Sequence, residues 1–363
     1  MTKKIRAIGA GILAALWLGL CVLAWVKPAD DSSDSERRKL AQFPKFTVDA
    51  LLDGSFMADF ADYAVDQFPL RDSFRTLKAL FQQKGLLQKD NNGYYLADGY
   101  LVKQTYPLNK TSVNHAVSVL NGIYKTYLEG TDCKLYYSVV PDKGYYLTGY
   151  PAMDYAQLQD RLEKELNWAQ YIDITPTLQL SSYYRTDTHW RQECLEETAS
   201  VLCQAMGAQT PSDFTAQKVS KPFYGVYYGH AALPVPGEDM YRLESEMLNG
   251  CTVTDLSTGK EASMYDDSKL DGTDMYEMYL SGNQPLLQIY NPNAEGEREL
   301  VIFRDSFGSS IAPLLVQGYK TVTLVDVRYM NPELIGQFIT FRQQDVLFLY
   351  STLILNESAT LRK

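Results

Sequence analysis

ELVIFRDSFGSS at 299–310, TVTLVDV at 321–327 and DVLFLY at 345–350 decide the fold of this 363-residue chain. Each begins or consists of a short run that is apolar along its whole length, so each reads as a strand buried on both faces. The intervening Gly308 to Val316 and Pro332 to Phe341 read as helices, the second opened by proline. Strand-helix-strand-helix-strand with continuous apolar strands means an α/β protein with a parallel sheet, covered by helices on its faces. Upstream, CKLYYSVV (133–140) reads as a further strand, stopped by Pro141. Leu286 to Tyr290 is one more. Ligands of such sheets bind at the carboxyl ends of the strands.

Working outward, Thr111 to Glu129 and Gln192 to Met206 carry helical apolar spacing. NNGYYLADGYLV (91–102) alternates and holds Asn-Gly and Asp-Gly, which predicts a short hairpin. From Phe46 to Leu87 the pattern is again helical and is broken at Gln67-Phe68-Pro69, so two helices are expected. Between 208 and 284 the pattern loosens into Tyr-, Gly- and Asp-rich turns and short strands, read as a β-rich insertion. DDSKLDGTD (266–274) lacks the alternating oxygen ligands of a calcium loop and reads as a solvated turn.

The N-terminus bounds the compartment. Lys3, Lys4 and Arg6 precede 20 uncharged residues, Ala7 to Val26. A helix of that length spans about 30 Å, the thickness of a hydrocarbon core. The basic flank (1–6) predicts a cytoplasmic N-terminus, a signal anchor over 7–26 and everything beyond Lys27 outside. A cleaved signal is the competing reading, although no convincing small-x-small cleavage site precedes Lys27-Pro28. Residues 27–39, polar and charge-dense, read as a flexible linker to a domain over 40–363.

The whole chain has 34 basic and 44 acidic residues, a net charge of −10. Setting aside the three basic flank residues leaves 31 against 44 outside, a net −13. An acidic exterior excludes nucleic acid as the main partner, because phosphate binding needs a cationic surface. Hydrophobic residues at 45% and charged residues at 21% exclude bulk disorder. Five cysteines without a C-x-x-C give no support to a zinc or redox centre, and unpaired buried thiols are expected. Three histidines leave little room for a metal site. Twenty-seven tyrosines suit either strand packing or a cleft lined for sugars.

Two stretches carry candidate chemistry. Ser306 follows the 299–303 strand and precedes a helix, where amide dipoles favour a developing oxyanion. Ser306 or Asp305 equally suits a plain helix cap. In YYRTDTHW (183–190), Asp187 and His189 stand two apart, so in an extended loop both side chains leave on one side. The carboxylate can then fix the imidazole tautomer and leave Nε2 to take a hydroxyl proton. Asp187 or Thr188 could also cap the helix that follows. His115 and His230 have no acid within three positions.

RTDTHW, the RDSFGSS loop and LAQFP…DQFPLRDSF near the N-terminus resemble the DHHW protein family of bacterial cell envelopes. That family is similar to the AlgJ/AlgX type of SGNH-hydrolase-like O-acetyltransferase. The resemblance runs from about Leu40 to Asn356, and the family's second His position is Thr188 here. It implies a three-layer SGNH-like fold with Ser306 as nucleophile, His189 as base and Asp187 as its orienter. It also implies an oxyanion hole from the Ser306 amide with Gly282 and Asn283, whose Gly-Asn pair otherwise reads as an ordinary turn. Arg304 either holds a carboxylate or substrate, or pairs with a neighbouring acid. The expected activity is acetyl transfer to a cell-envelope or exopolysaccharide glycan, with a membrane-bound O-acyltransferase as donor partner and no cofactor or metal. A carbohydrate esterase with the same triad and a non-catalytic glycan-binding scaffold are the alternatives.

Overall fold

The computed structural model describes residues 3–363. The first two residues of the expected basic flank therefore lie outside the described part. The chain divides into two compact units, one of residues 1–92 with 228–234, the other of 93–227 with 235–363.

In the first unit, Lys3–Val26 forms one 24-residue helix, long and apolar enough to cross a membrane, with none of its residues buried. Helices follow at Val48–Leu52, Ser55–Asp66 and Arg71–Leu80. The break between the last two falls at Gln67 to Leu70, where Pro69 cannot donate an amide and Leu70 turns left-handed with φ 58°. Residues 27–39, expected as a flexible linker, instead carry a small antiparallel pair of strands, Ser32–Ser33 with Arg38–Lys39. An ion-pair cluster pins them. Asp66 accepts 2.5 and 2.8 Å bonds from Arg38, and Glu36 lies 2.5 Å from Arg71 and 3.1 Å from Arg75. Two charges of this segment, Glu36 and Arg38, are thus engaged by Asp66, Arg71 and Arg75.

The second unit is built on an eight-stranded sheet. Its parallel part runs Gln170–Tyr171, Lys134–Val140, Asp345–Ser351, Glu299–Arg304, Thr321–Val325. Leu286–Tyr290, Thr252–Asp255 and Lys260–Ala262 extend it antiparallel. The 208–284 stretch is thus continuous with the sheet at its second half, while Thr215–Lys218 and Tyr241–Glu244 form a separate ribbon.

Period-two alternation assigns the two faces. Leu300 and Ile302 pack on one side with helices Glu196–Met206 and Gly308–Leu315. Val301 and Phe303 pack on the other with Lys110–Ile123 and Tyr155–Glu165. This gives the three-layer α/β fold that the resemblance implied. Each fully buried aliphatic or Phe side chain contributes about 1.5–3 kcal/mol, which explains why these strands are apolar throughout. Several element boundaries differ from expectation: Pro332–Gln337 is a 3-10 turn, the 110–123 helix closes in a π-turn, Tyr124–Leu128, the helix expected from Gln192 starts at Glu196 after a 3-10 turn, and three helices rather than two fill 48–80. All five cysteines are free, and only Cys203 is buried.

Candidate active site

The carboxyl ends of the central parallel strands meet at Ser306. Glu299–Arg304 ends two residues before it, and helix Gly308–Leu315 starts two residues after it. Asp305 makes the turn: its Oδ1 accepts from the Phe307 amide at 3.0 Å and its Oδ2 from the Ser351 amide at 2.8 Å. The latter bond ties the serine loop to the end of the neighbouring strand. Asp305 therefore takes the cap-like role, and Ser306 is left half-exposed with its hydroxyl available. A Cβ at Gly308 would lie 2.6 Å from the Arg304 Cβ, so only glycine lets the helix start this close to the strand.

The structure brings Ser306 to His189 and Asp187. His189 Nε2 lies 2.7 Å from Ser306 Oγ, and Nδ1 lies 2.6 Å from Asp187 Oδ1. With an acid at Nδ1, the Nε2 lone pair faces the serine hydroxyl. Asp187 and His189 are buried, 1% and 7% exposed, so their bonds form away from bulk water.

The 184–189 loop is held at nearly every residue. Tyr184 donates its amide to the His189 carbonyl at 3.0 Å, closing the loop on itself. Glu238 accepts from the Arg185 and Thr186 amides at 2.9 and 3.0 Å, and from the Thr186 hydroxyl at 3.1 Å. Val226 donates its amide to Asp187 Oδ2 at 2.8 Å, and the Tyr227 hydroxyl reaches Thr188 at 3.0 Å. Trp190 joins this loop to the serine loop through its indole N–H, 2.8 Å from Ser310 Oγ. Tyr276 stacks on the His189 ring at 3.7 Å with planes 5° apart, and its hydroxyl lies 2.7 Å from the same Ser310. Burial holds the Tyr276 phenol well above its ordinary range, so the ring stays neutral against the imidazole.

Ser306 and His189 open into a cavity of about 190 Å³, lined also by Tyr276, Glu277, Arg328 and Tyr329. Gly282 and Asn283 line it too. Their donors are engaged, however: the Gly282 amide donates to the Tyr279 carbonyl at 3.2 Å and the Asn283 amide to Glu277 at 3.1 Å. Leu280, Ser281 and Gly282 are successively left-handed, with φ of 53°, 56° and 82°, a strained turn that brings these two residues to the cavity. Arg304 pairs with an acid: it is fully buried and 3.4 Å from Asp326, which Arg328 grips at 2.6 Å. His115 instead bonds Ser358 at 3.0 Å. Among the described residues, no group of three or more His, Cys, Asp or Glu could hold a metal ion.

Sequence reasoning missed Glu238, Gly225, Ser310 and Lys143, which act on the loop from 34 or more residues away or from the end of another strand. Only Gly225, in FYGVYYGH, left a trace as a glycine among bulky residues.

No protein-family model matches the chain, and no curated protein matches it. Solved structures do. A DHHW family protein from Eubacterium siraeum superposes with TM-score 0.57 at 21% identity, covering 73% of this chain and 93% of that one. PatB1 of Bacillus cereus gives 0.57 at 17% identity over 72% of this chain and 96% of its own. PatB1 carrying a sulfonyl adduct gives 0.58 at 18% identity, over 74% and 98%. At these identities the likeness is one of fold.

Proposed function

We propose that the chain is a serine acyltransferase that acts on a cell-envelope glycan from a membrane anchor. The observation that carries this reading is the unbroken run of short hydrogen bonds from Asp187 through His189 to Ser306, opening on a cavity. Ser306 Oγ attacks the acyl carbonyl while His189 Nε2 takes its proton; the carbonyl π-bond becomes an oxyanion. On collapse, the bond to the donor's leaving oxygen breaks and His189 returns the proton to that oxygen. A sugar hydroxyl then gives its proton to His189 and attacks the acyl-serine, and Ser306 leaves with the proton. The Ser306 amide, two residues before helix Gly308–Leu315, is the first oxyanion donor, and the second N–H of the Asn283 amide is the next candidate.

Helix Lys3–Val26 supports the anchor: 24 residues at about 1.5 Å each exceed a hydrocarbon core. Its basic flank favours a topology with the catalytic unit outside the cytoplasm, where a membrane-bound O-acyltransferase would supply the acyl donor. Tyr329, exposed at the cavity, suits the apolar face of a sugar ring.

A sulfonyl fluoride, a reagent suggested by the adduct carried by PatB1, tests the nucleophile. Peptide mass mapping should find the label on Ser306 in the full chain and none in Ser306→Ala. Equal labelling of that variant overturns the reading. Incubation with an acyl donor and an oligosaccharide should yield acylated sugar; free acetate without it turns the reading to a carbohydrate esterase. Unimpaired envelope acylation in cells carrying Asp187→Asn with His189→Ala would leave only a glycan-binding scaffold.

A further inference from the structure

Lys143 is 2% exposed, a lysine buried as deeply as the core. It stands in the turn Lys143–Tyr146 just past strand Lys134–Val140. Its Nζ donates to the Tyr184 carbonyl at 3.0 Å and reaches the Arg185 carbonyl at 3.4 Å, the first two residues of the loop that bears Asp187 and His189. It also sits over the Tyr227 ring, 4.8 Å from its centre, and 6.0 Å from that of Tyr100. Among the described residues no carboxylate pairs with it directly. Three act on it at longer range: Asp142 beside it, Asp187 in the loop and Glu238 behind the loop.

An unpaired buried ammonium is costly, so a lysine retained here calls for a reason. We propose that Lys143 is a positioning residue for the Asp187–His189 pair: it fixes the carbonyls of Tyr184 and Arg185 and sets a positive charge behind Asp187 that opposes protonation of the pair. The inference rests on the acyl-transfer reading above and adds the residue that tunes it. Burial pulls the Lys143 ammonium down to about 7, against the attraction of Asp187, Glu238 and Asp142. The charge is therefore present over the acidic range.

The test is the pH dependence of sulfonyl fluoride labelling of the full chain in detergent, for wild type, Lys143→Met and Lys143→Gln. Both variants lose the charge, so both should move the acid-side midpoint upward by about half a pH unit or more. The plateau rate should fall at least about fivefold in Lys143→Met through loss of loop position. It should fall less in Lys143→Gln, whose amide still donates to the carbonyls. A folded variant with the wild-type midpoint overturns the inference, whatever its plateau, because a merely structural lysine would not move it. If Lys143→Met does not fold, Lys143→Gln carries the comparison. Failure of the acyl-transfer reading looks different: wild type itself then takes no label on Ser306.

Discussion

Gly225 shows how little slack there is around the candidate catalytic residues. A Cβ built there would fall 2.2 Å from the Asp187 Cβ and 2.4 Å from its Cα. Its φ needs no glycine, so the constraint is one of space alone. Gly225→Ala should push Asp187 away from His189 and cut the labelling rate of Ser306 at least about tenfold. Circular dichroism should stay native, because the clash can be relieved by moving a loop; labelling at the wild-type rate would refute the close packing. Asp187 and His189 were legible because two residues of one loop share a side when the backbone is extended. Gly225, Glu238 and Lys143 were not, because nothing in local spacing says which distant segment will lie against that loop. Arg304 illustrates the same limit: its place in the sequence suits either a substrate or a neighbouring acid, and only the fold sets it 3.4 Å from Asp326.

At the scale of elements, the strands were the most legible because burial on both faces leaves no polar position in them. The hairpin Tyr94–Ala97 with Tyr100–Lys103 was legible for another reason: Asp98 and Gly99 take φ of 49° and 83°, which the Asp-Gly pair tolerates. The strand pair within 27–39 is not legible in the sequence, because ion pairs, unlike apolar periodicity, have no period in it. Its ordering is testable. The Arg38 guanidinium, against the cost of burial, holds Asp66 down to about 2, below its ordinary 3.8. A depressed carboxylate stabilises above the unfolded value and loses that stabilisation as pH falls through the folded one. Residues 27–39 should therefore stay ordered above about pH 4 and loosen toward pH 2. Asp66→Asn should bring that loosening to neutral pH, read as faster tryptic cleavage after Arg37 or Arg38; an unchanged rate would count against the clamp.

For the whole molecule, Lys143 links the site to stability. In the unfolded chain it keeps its proton to about 10.5, and in the fold only to about 7. Between those values the unfolded state binds more protons, so this group makes stability rise with pH across that window. Lys143→Met removes the dependence. The thermal midpoint of the variant, relative to wild type, should be higher at pH 6 than at pH 9.5; the opposite order would mean that the ammonium is stabilised by its surroundings. The cost of the two orphaned carbonyls is the same at both pH values and cancels in this comparison.

By itself the sequence determined the layers. Apolar runs of strand length, separated by helix-length segments, leave a parallel sheet covered on both faces as the way to hide them, and the solved structures of similar fold agree. It also offered Ser306, Asp187 and His189 as candidates, because a serine at a strand end and a two-residue acid–histidine spacing are local properties. Only the tertiary structure decided what surrounds them: the antiparallel extension of the sheet, the clamp of Glu238 and Lys143 on the loop, the stacking of Tyr276 on His189, and the engagement of Gly282 and Asn283 in their own turn. Those are contacts between segments far apart in the chain. Their partners are chosen by packing and desolvation over the whole unit, which no window of sequence contains.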